Sequence, residues 1–281
     1  NLDPADTVAA TGHVATAAAL TVAAESKTGI ASYALAGAVA TTSSAQTAAP
    51  GSEAATTQGG GSGKFGVAVS GDAAVNEINA NTYATLSDGA RISRAADVTL
   101  QASNALDIRA LAGAVTISTQ HNGNGLAGSF ASNTMSGTTQ AAVTDASIQQ
   151  TGSLTMAASV SGEIRALSAS LEAASGKLGV AGAVSINTIA NVASTRLLRS
   201  TVGHGLQNVS LSTEDSAAIQ SVAGALAYGG KAGIGLSFAA NDISNTDTTE
   251  VIDSDIAAAG NVNLSATTDN DDVKDTVVPF T

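Results

Sequence analysis

The chain has 281 residues with 23 acidic against 11 basic side chains, a formal net charge of −12, and a 44% hydrophobic content drawn almost wholly from Ala, Val, Leu and Ile, with 4 Phe, 3 Tyr and no Trp. No basic cluster exists to neutralise phosphates, which argues against nucleic acid and anionic membrane surfaces as partners; the absence of cysteine excludes disulfides, thiolate metal centres and a thiol nucleophile. Small aliphatic side chains suit a thin core of stacked rows, whereas enzyme pockets usually draw on large aromatics.

In chain order, the first recognisable unit is Leu20-Thr21-Val22 followed eight residues later by Ile30, and the same frame returns at Val98-Thr99-Leu100 with Ile108, Leu154-Thr155-Met156 with Ile164, and Val209-Ser210-Leu211 with Ile219. A fifth copy begins at Val262-Asn263-Leu264. Leu100, Met156, Leu211 and Leu264 stand 56, 55 and 53 residues apart, so a degenerate repeat of ~54 residues runs down the chain.

Each copy has one internal order. A short alternating strand (97–102, 153–158, 208–213) precedes a longer small-residue strand (108–114, 164–170, 219–225; 30–38 in the first copy). A glycine-bearing turn leads to a further alternating strand (65–70, 179–186, 233–238). An Asn-rich corner, Asn187 to Asn191 or Asn241 to Asn245, precedes a strand ending at Ile92, Ile148, Val202 or Ile256. Period-two alternation broken by Gly, Asn and Asp reads as strand and turn despite the helix propensity of alanine. The expected fold is all-β, a parallel β-helix (β-solenoid), with an antiparallel sandwich as the alternative. Each repeat would make two to three coils, with Asn at the corners accepting backbone donors; ten to fifteen coils would give a rod of roughly 50 to 70 Å. The stretch at about 41–63, TTSSAQTAAPGSEAATTQGGGSG, reads as a flexible loop inserted in a single repeat-built segment covering 1–281.

The chain holds no run of 18 apolar residues, so no spanning helix and no membrane insertion are expected. It opens Asn1-Leu2-Asp3-Pro4 and the last repeat breaks off at Pro279-Phe280-Thr281, which reads as a piece of a longer protein.

The phrases Gly260-Asn261-Val262-x-Leu264-x-Ala266, Ile219-x-x-Val222-Ala223-Gly224-Ala225 and Ser237-x-x-x-Asn241-x-Ile243-x-Asn245 resemble the degenerate repeats of giant bacterial filamentous adhesins, the filamentous-haemagglutinin-like and leukotoxin-type large exoproteins. The likeness covers the chain from about Val14 onward and specifies a repeat class, not an activity. It implies a right-handed parallel β-helix stalk, secreted or displayed on a bacterial surface, often through an outer-membrane pore partner, with no catalytic residue to carry over.

The sequence offers no catalytic, cofactor-binding or metal site. His13, His121 and His204 fall in different copies without ligand spacing. Gly59-Gly60-Gly61-Ser62-Gly63-Lys64 lacks the spacer and the hydroxyl residue of a phosphate loop. Asp242, Asp247, Glu250, Asp253 and Asp255 crowd one copy with no Arg expected nearby, and Asp269, Asp271, Asp272 and Asp275 could offer oxygens to calcium. Isolated threonines such as Thr246 and Thr248 make no ice-binding rank. The expectation is a non-enzymatic stalk segment that reaches a host or neighbouring cell through regions outside the chain, with end-to-end self-association where strands end unpaired. The alternatives are a β-helix polysaccharide lyase or epimerase, or an ice- or cation-binding module.

Overall fold

The computed structural model describes residues 2–11, 17–40, 67–87, 89–93, 95–119, 123–149, 152–269 and 273–280. The expected loop at 41–63 lies outside them, as do His13, His121, Asp271, Asp272 and the glycine-rich stretch ending at Lys64.

The described residues form strands and no helix. They are β1 (Leu2–Thr11), β2 (Ala17–Ala40), β3 (Val67–Leu86), β4 (Arg91–Ile92), β5 (Ala95–Ser118), β6 (Asn124–Thr144), β7 (Ser147–Gln149), β8 (Ser153–Ala174), β9 (Leu178–Leu198), β10 (Thr201–Leu206), β11 (Asn208–Gly229), β12 (Ala232–Ile243), β13 (Thr246–Ile252), β14 (Asp255–Ala258), β15 (Val262–Asp269) and β16 (Val273–Phe280). A front sheet has the order β15-β11-β8-β5-β2, with β16 also on β11. A back sheet has the order β1-β3-β6-β9-β12, with β13 also on β9. A short third sheet, β14-β10-β7-β4, closes one side. Pairs within the front sheet are parallel and in register, Val98 on Leu154 on Val209 on Val262. The result is a right-handed parallel β-solenoid, as the repeat implied.

The number of coils differs from the expectation. One repeat makes one coil, consisting of a front strand, a back strand and a short strand, rather than two or three. The reason lies in phase. Val98, Leu100, Ala102, Asn104, Leu106 and Ile108 all stand at even spacing and all face inward, so the two strands expected at 97–102 and 108–114 are one uninterrupted strand, β5. The Asn-rich phrase at 187–191 is not a corner either, whereas in the last copy a break at Ser244 and Asn245 does fall on it. Asn187, Ile189 and Asn191 keep the same alternation and point inward from the middle of β9. A front strand of 22 residues spans roughly 70 Å, while four complete coils with a partial coil at each end stack only roughly 25 Å deep. The molecule is therefore a broad slab and not a rod of 50 to 70 Å.

The core is graded along the strands. At the three-sheet end Leu100, Met156 and Leu211 form one wholly buried column, facing Leu86, Val143 and Leu197 of the back sheet and Ile92, Ile148 and Val202 of the short sheet. In mid-slab the column Ile108, Ile164, Ile219 meets Ile78, Met135, Ile189. Toward the outer end, away from the short sheet, the inward residues shrink to Ala, Ser, Gly and Thr, and the two sheets approach until their hydroxyls bond across the gap. Ser70 meets Thr116 at 2.6 Å, Ser129 meets Ser168 at 2.9 Å and Ser221 meets Ser185 at 2.9 Å.

The turn from the back sheet to the short sheet uses one left-handed residue per coil. Gly89, Asp145, Arg199 and Asp253 occupy equivalent positions with φ of 71°, 52°, 44° and 48°. Only the first copy places glycine there; in the next two, Arg199 grips Asp145 with two hydrogen bonds of 2.8 and 2.7 Å. That contact holds the Asp145 carboxyl below the usual carboxylate range and raises the Arg199 guanidinium.

Candidate functional site

The groups most able to do chemistry lie between the sheets. Glu172 occupies an inward position of β8, stacked between Thr116 and Ala227, and is wholly buried. The back sheet makes room for its carboxylate with glycines: a methyl group at Gly125 or Gly179 would overlap the Glu172 oxygens. Neither oxygen has a side-chain or main-chain hydrogen-bond partner of good geometry. Burial pushes its pKa up to about 7, with the backbone N–H of Tyr228 pulling the other way.

The second group is Asp215 on β11, wholly buried where the preceding coils carry Val160 and Asn104. Asn245 Nδ2 donates to its Oδ1 at 2.6 Å, and Oδ2 is unpartnered. Asp247, on β13 of the facing sheet, accepts a hydrogen bond from Thr268 Oγ1. Burial first, and then the charge of Asp247, raise Asp215 to about 7, while the Asn245 bond lowers it. Asp72 of β3 is a milder case, raised by burial and held down by the Gly113 N–H that donates to it.

The third feature is an internal asparagine ladder. Asn76 Nδ2 donates to Asn133 Oδ1 at 2.7 Å, Asn133 to Asn187 at 2.7 Å, and Asn187 to Asn241 at 2.6 Å, one rung per coil. The inner rungs Asn133 and Asn187 each give one proton upward and take one from below, so they are satisfied within the core. Asn245 fulfils the role expected of the Asn phrases, accepting the Asn191 N–H at 2.9 Å, although it does so where β12 gives way to β13.

The acidic residues singled out from the sequence do not converge. Asp242 faces outward from β12, Asp247 faces inward, Asp253 sits at the left-handed turn and Asp255 starts β14. Glu250 is paired with Arg196 at 2.9 Å, which overturns the expectation that no Arg neighbours this group; the two stand one coil apart in the same column, a closeness that their separation in sequence hides. Asp269 ends β15, and the backbone of Asp275 pairs with Ser221 in β16, so a stretch outside the described residues parts them. His204 lies on β10. Among the described residues no three His, Asp or Glu side chains gather as a metal would require. The column under Thr246 is Val192 and Thr138, and that under Thr248 is Ser194 and Gln140, so threonine does not repeat from one coil to the next in these two columns; an outward rank of Thr21, Thr99 and Thr155 does stand on the front sheet.

Outside, a shallow groove crosses the front sheet past Lys27, Asp107, Glu163 and Asp269. Asp107 and Glu163 are each tied to the arginine two residues on, Arg109 and Arg165, so both charges of each pair are largely neutralised at the surface. Among the described residues no aromatic side chain lines the groove to stack on a sugar.

Reading the sequence missed Glu172 and Asp215, yet their signal was present. Glu172 is in phase with Leu154 and Ile164, and Asp215 with Leu211 and Ile219, so alternation alone assigns both carboxylates to the core. Comparison with protein-family models, with curated proteins and with solved structures finds no match to this chain.

Proposed function

We propose that this chain is a structural segment, a stalk piece, of a large secreted or surface-displayed bacterial adhesin, whose binding region and export signals lie elsewhere. The observation that supports this reading is the continuity of inward columns from coil to coil. Among the described residues the aliphatic and asparagine columns run from one repeat to the next, and Glu172 and Asp215, the two carboxyls that burial raises to about 7, are enclosed between the sheets. A repeat array of this kind derives its stability from nearest-neighbour interfaces, which suits a mechanical element. Its contribution to reach is small, one strand spacing per repeat, so its role is stiffness and breadth more than length.

The test has two arms. Antibodies raised against the folded slab should label intact cells of the source bacterium, and incubation of the protein with acidic polysaccharides should release no new reducing or unsaturated ends. Turnover of such a polymer would replace this reading with the lyase or epimerase, and labelling only after lysis would remove the surface assignment.

A further inference from the structure

The outer half of the slab is turned inside out. Its interior is Ala, Ser, Gly and Thr with one Glu and one Asp, Glu172 and Asp72, while its outward positions carry the large apolar residues. On the front sheet, four successive outward positions on each of four strands, 33–39, 111–117, 167–173 and 222–228, hold no polar group except the hydroxyls of Tyr33 and Tyr228. The back sheet repeats this over 69–75, 126–132, 180–186 and 234–240, with Ser132 as the one polar side chain.

Each grid presents on the order of 1,000 Å² of accessible surface, against the ~800 Å² that each partner gives to a standard interface and the few hundred Å² that a monomer leaves open. The relief is regular as well. On the front face the rows through Leu167 and Leu171 stand up on either side of a trough floored by Gly113, Ala169 and Gly224 and closed at β2 by Leu35, whose side chain lies over Gly113. The back face has its own trough over Gly71, Gly128 and Gly182, closed at β12 by Leu236. A ridge on one slab is the shape that a trough on another accepts.

Parallel sheets are ordinarily covered on both faces. We propose that a second copy of this chain supplies the cover, so that slabs lie face on face through their outer halves in layers. Charge permits the contact, since the bordering Arg109 and Arg165 are already matched by Asp107 and Glu163 on the same slab. A lipid bilayer fits less well. Lys177 and Lys231 stand at the far turns, where a spanning slab would have to carry their charges through hydrocarbon.

Sedimentation of the 281-residue chain over a hundredfold concentration range tests the proposal, with Leu167→Lys/Leu171→Lys on the front face, Leu126→Lys/Leu236→Lys on the back face, and all four combined. All substituted positions point outward, so the far-UV spectrum reports whether the fold is retained. The wild type should sediment at multiples of the monomer mass, each face pair should lower the average mass at least twofold, and the fourfold variant should be monomeric with an unchanged spectrum. A wild type that stays monomeric, an unchanged mass in either face pair, or association that survives in the fourfold variant through the strand edges overturns the proposal. So does a monomer that binds phosphatidylcholine vesicles, which would make lipid the occupant.

Discussion

A single buried carboxyl sets the acid–base behaviour of the outer core. Glu172 titrates near 4.5 when solvated and at about 7 in the slab. Between those values the folded chain holds a proton that the unfolded chain has released, so stability falls as pH rises through this window and is lowest above it. The span corresponds to about 3 kcal/mol. Glu172→Gln, which removes the charge and keeps the shape, should therefore leave urea stability almost unchanged at pH 4 and raise it by about 2 to 3 kcal/mol at pH 8. Asp215→Asn should act in the same direction, because the amide keeps the oxygen that accepts from Asn245 and loses the repulsion from Asp247. Equal stability of wild type and Glu172→Gln at pH 8 would show that the carboxylate reaches solvent after all.

At the scale of the strand, register is held by polar columns as much as by aliphatic ones. Asn133 is the inner rung of the ladder on β6, bonded to Asn76 on one side and Asn187 on the other. Asn133→Ala breaks both bonds and strands an amide donor on Asn76 and an acceptor on Asn187 in a buried layer, which should cost about 2 to 4 kcal/mol by urea unfolding. Asn133→Leu should be no better, since the neighbouring amides remain unpaired. The ladder also marks the limit of what the sequence revealed. Alternation correctly assigned strands, parallel stacking and the column of Leu100, Met156 and Leu211, because a period of two fixes which face is buried. It failed at the corners, because Gly, Asn and Ser signal a turn when the chain bends and a close sheet contact when it does not. At the outer end they do the second: Ser129 and Ser168 bridge the sheets, and Gly125 and Gly179 house Glu172. Charged partners were the least legible feature. Arg196 and Glu250 are neighbours only because 54 residues make one turn, and a sequence reading that assigned two or three turns to the repeat could not place them together.

For the molecule as a whole, one repeat per coil means that deleting one repeat removes one complete coil and keeps the register of the remaining strands. Deleting residues 153–207 takes out β8, β9 and β10 and joins Gly152 to Asn208, which occupies the position of Ser153 in the next coil. In the shortened chain β5 would stack directly on β11, placing Leu100 over Leu211 and Ile108 over Ile219, and Asn133 would meet Asn241 to keep the ladder whole. Nearest-neighbour stacking predicts a folded, less stable slab, lower by one interface, with strand length unchanged and depth reduced by about 5 Å. Small-angle scattering can separate those dimensions. The pH dependence traced to Glu172 should vanish with the coil that carries it. If each repeat instead made two or three short coils, the same deletion would leave the cross-section unchanged and shorten the long axis two to three times as much. A chain that fails to fold under native conditions would show that stability is shared across the whole slab and not passed from coil to coil.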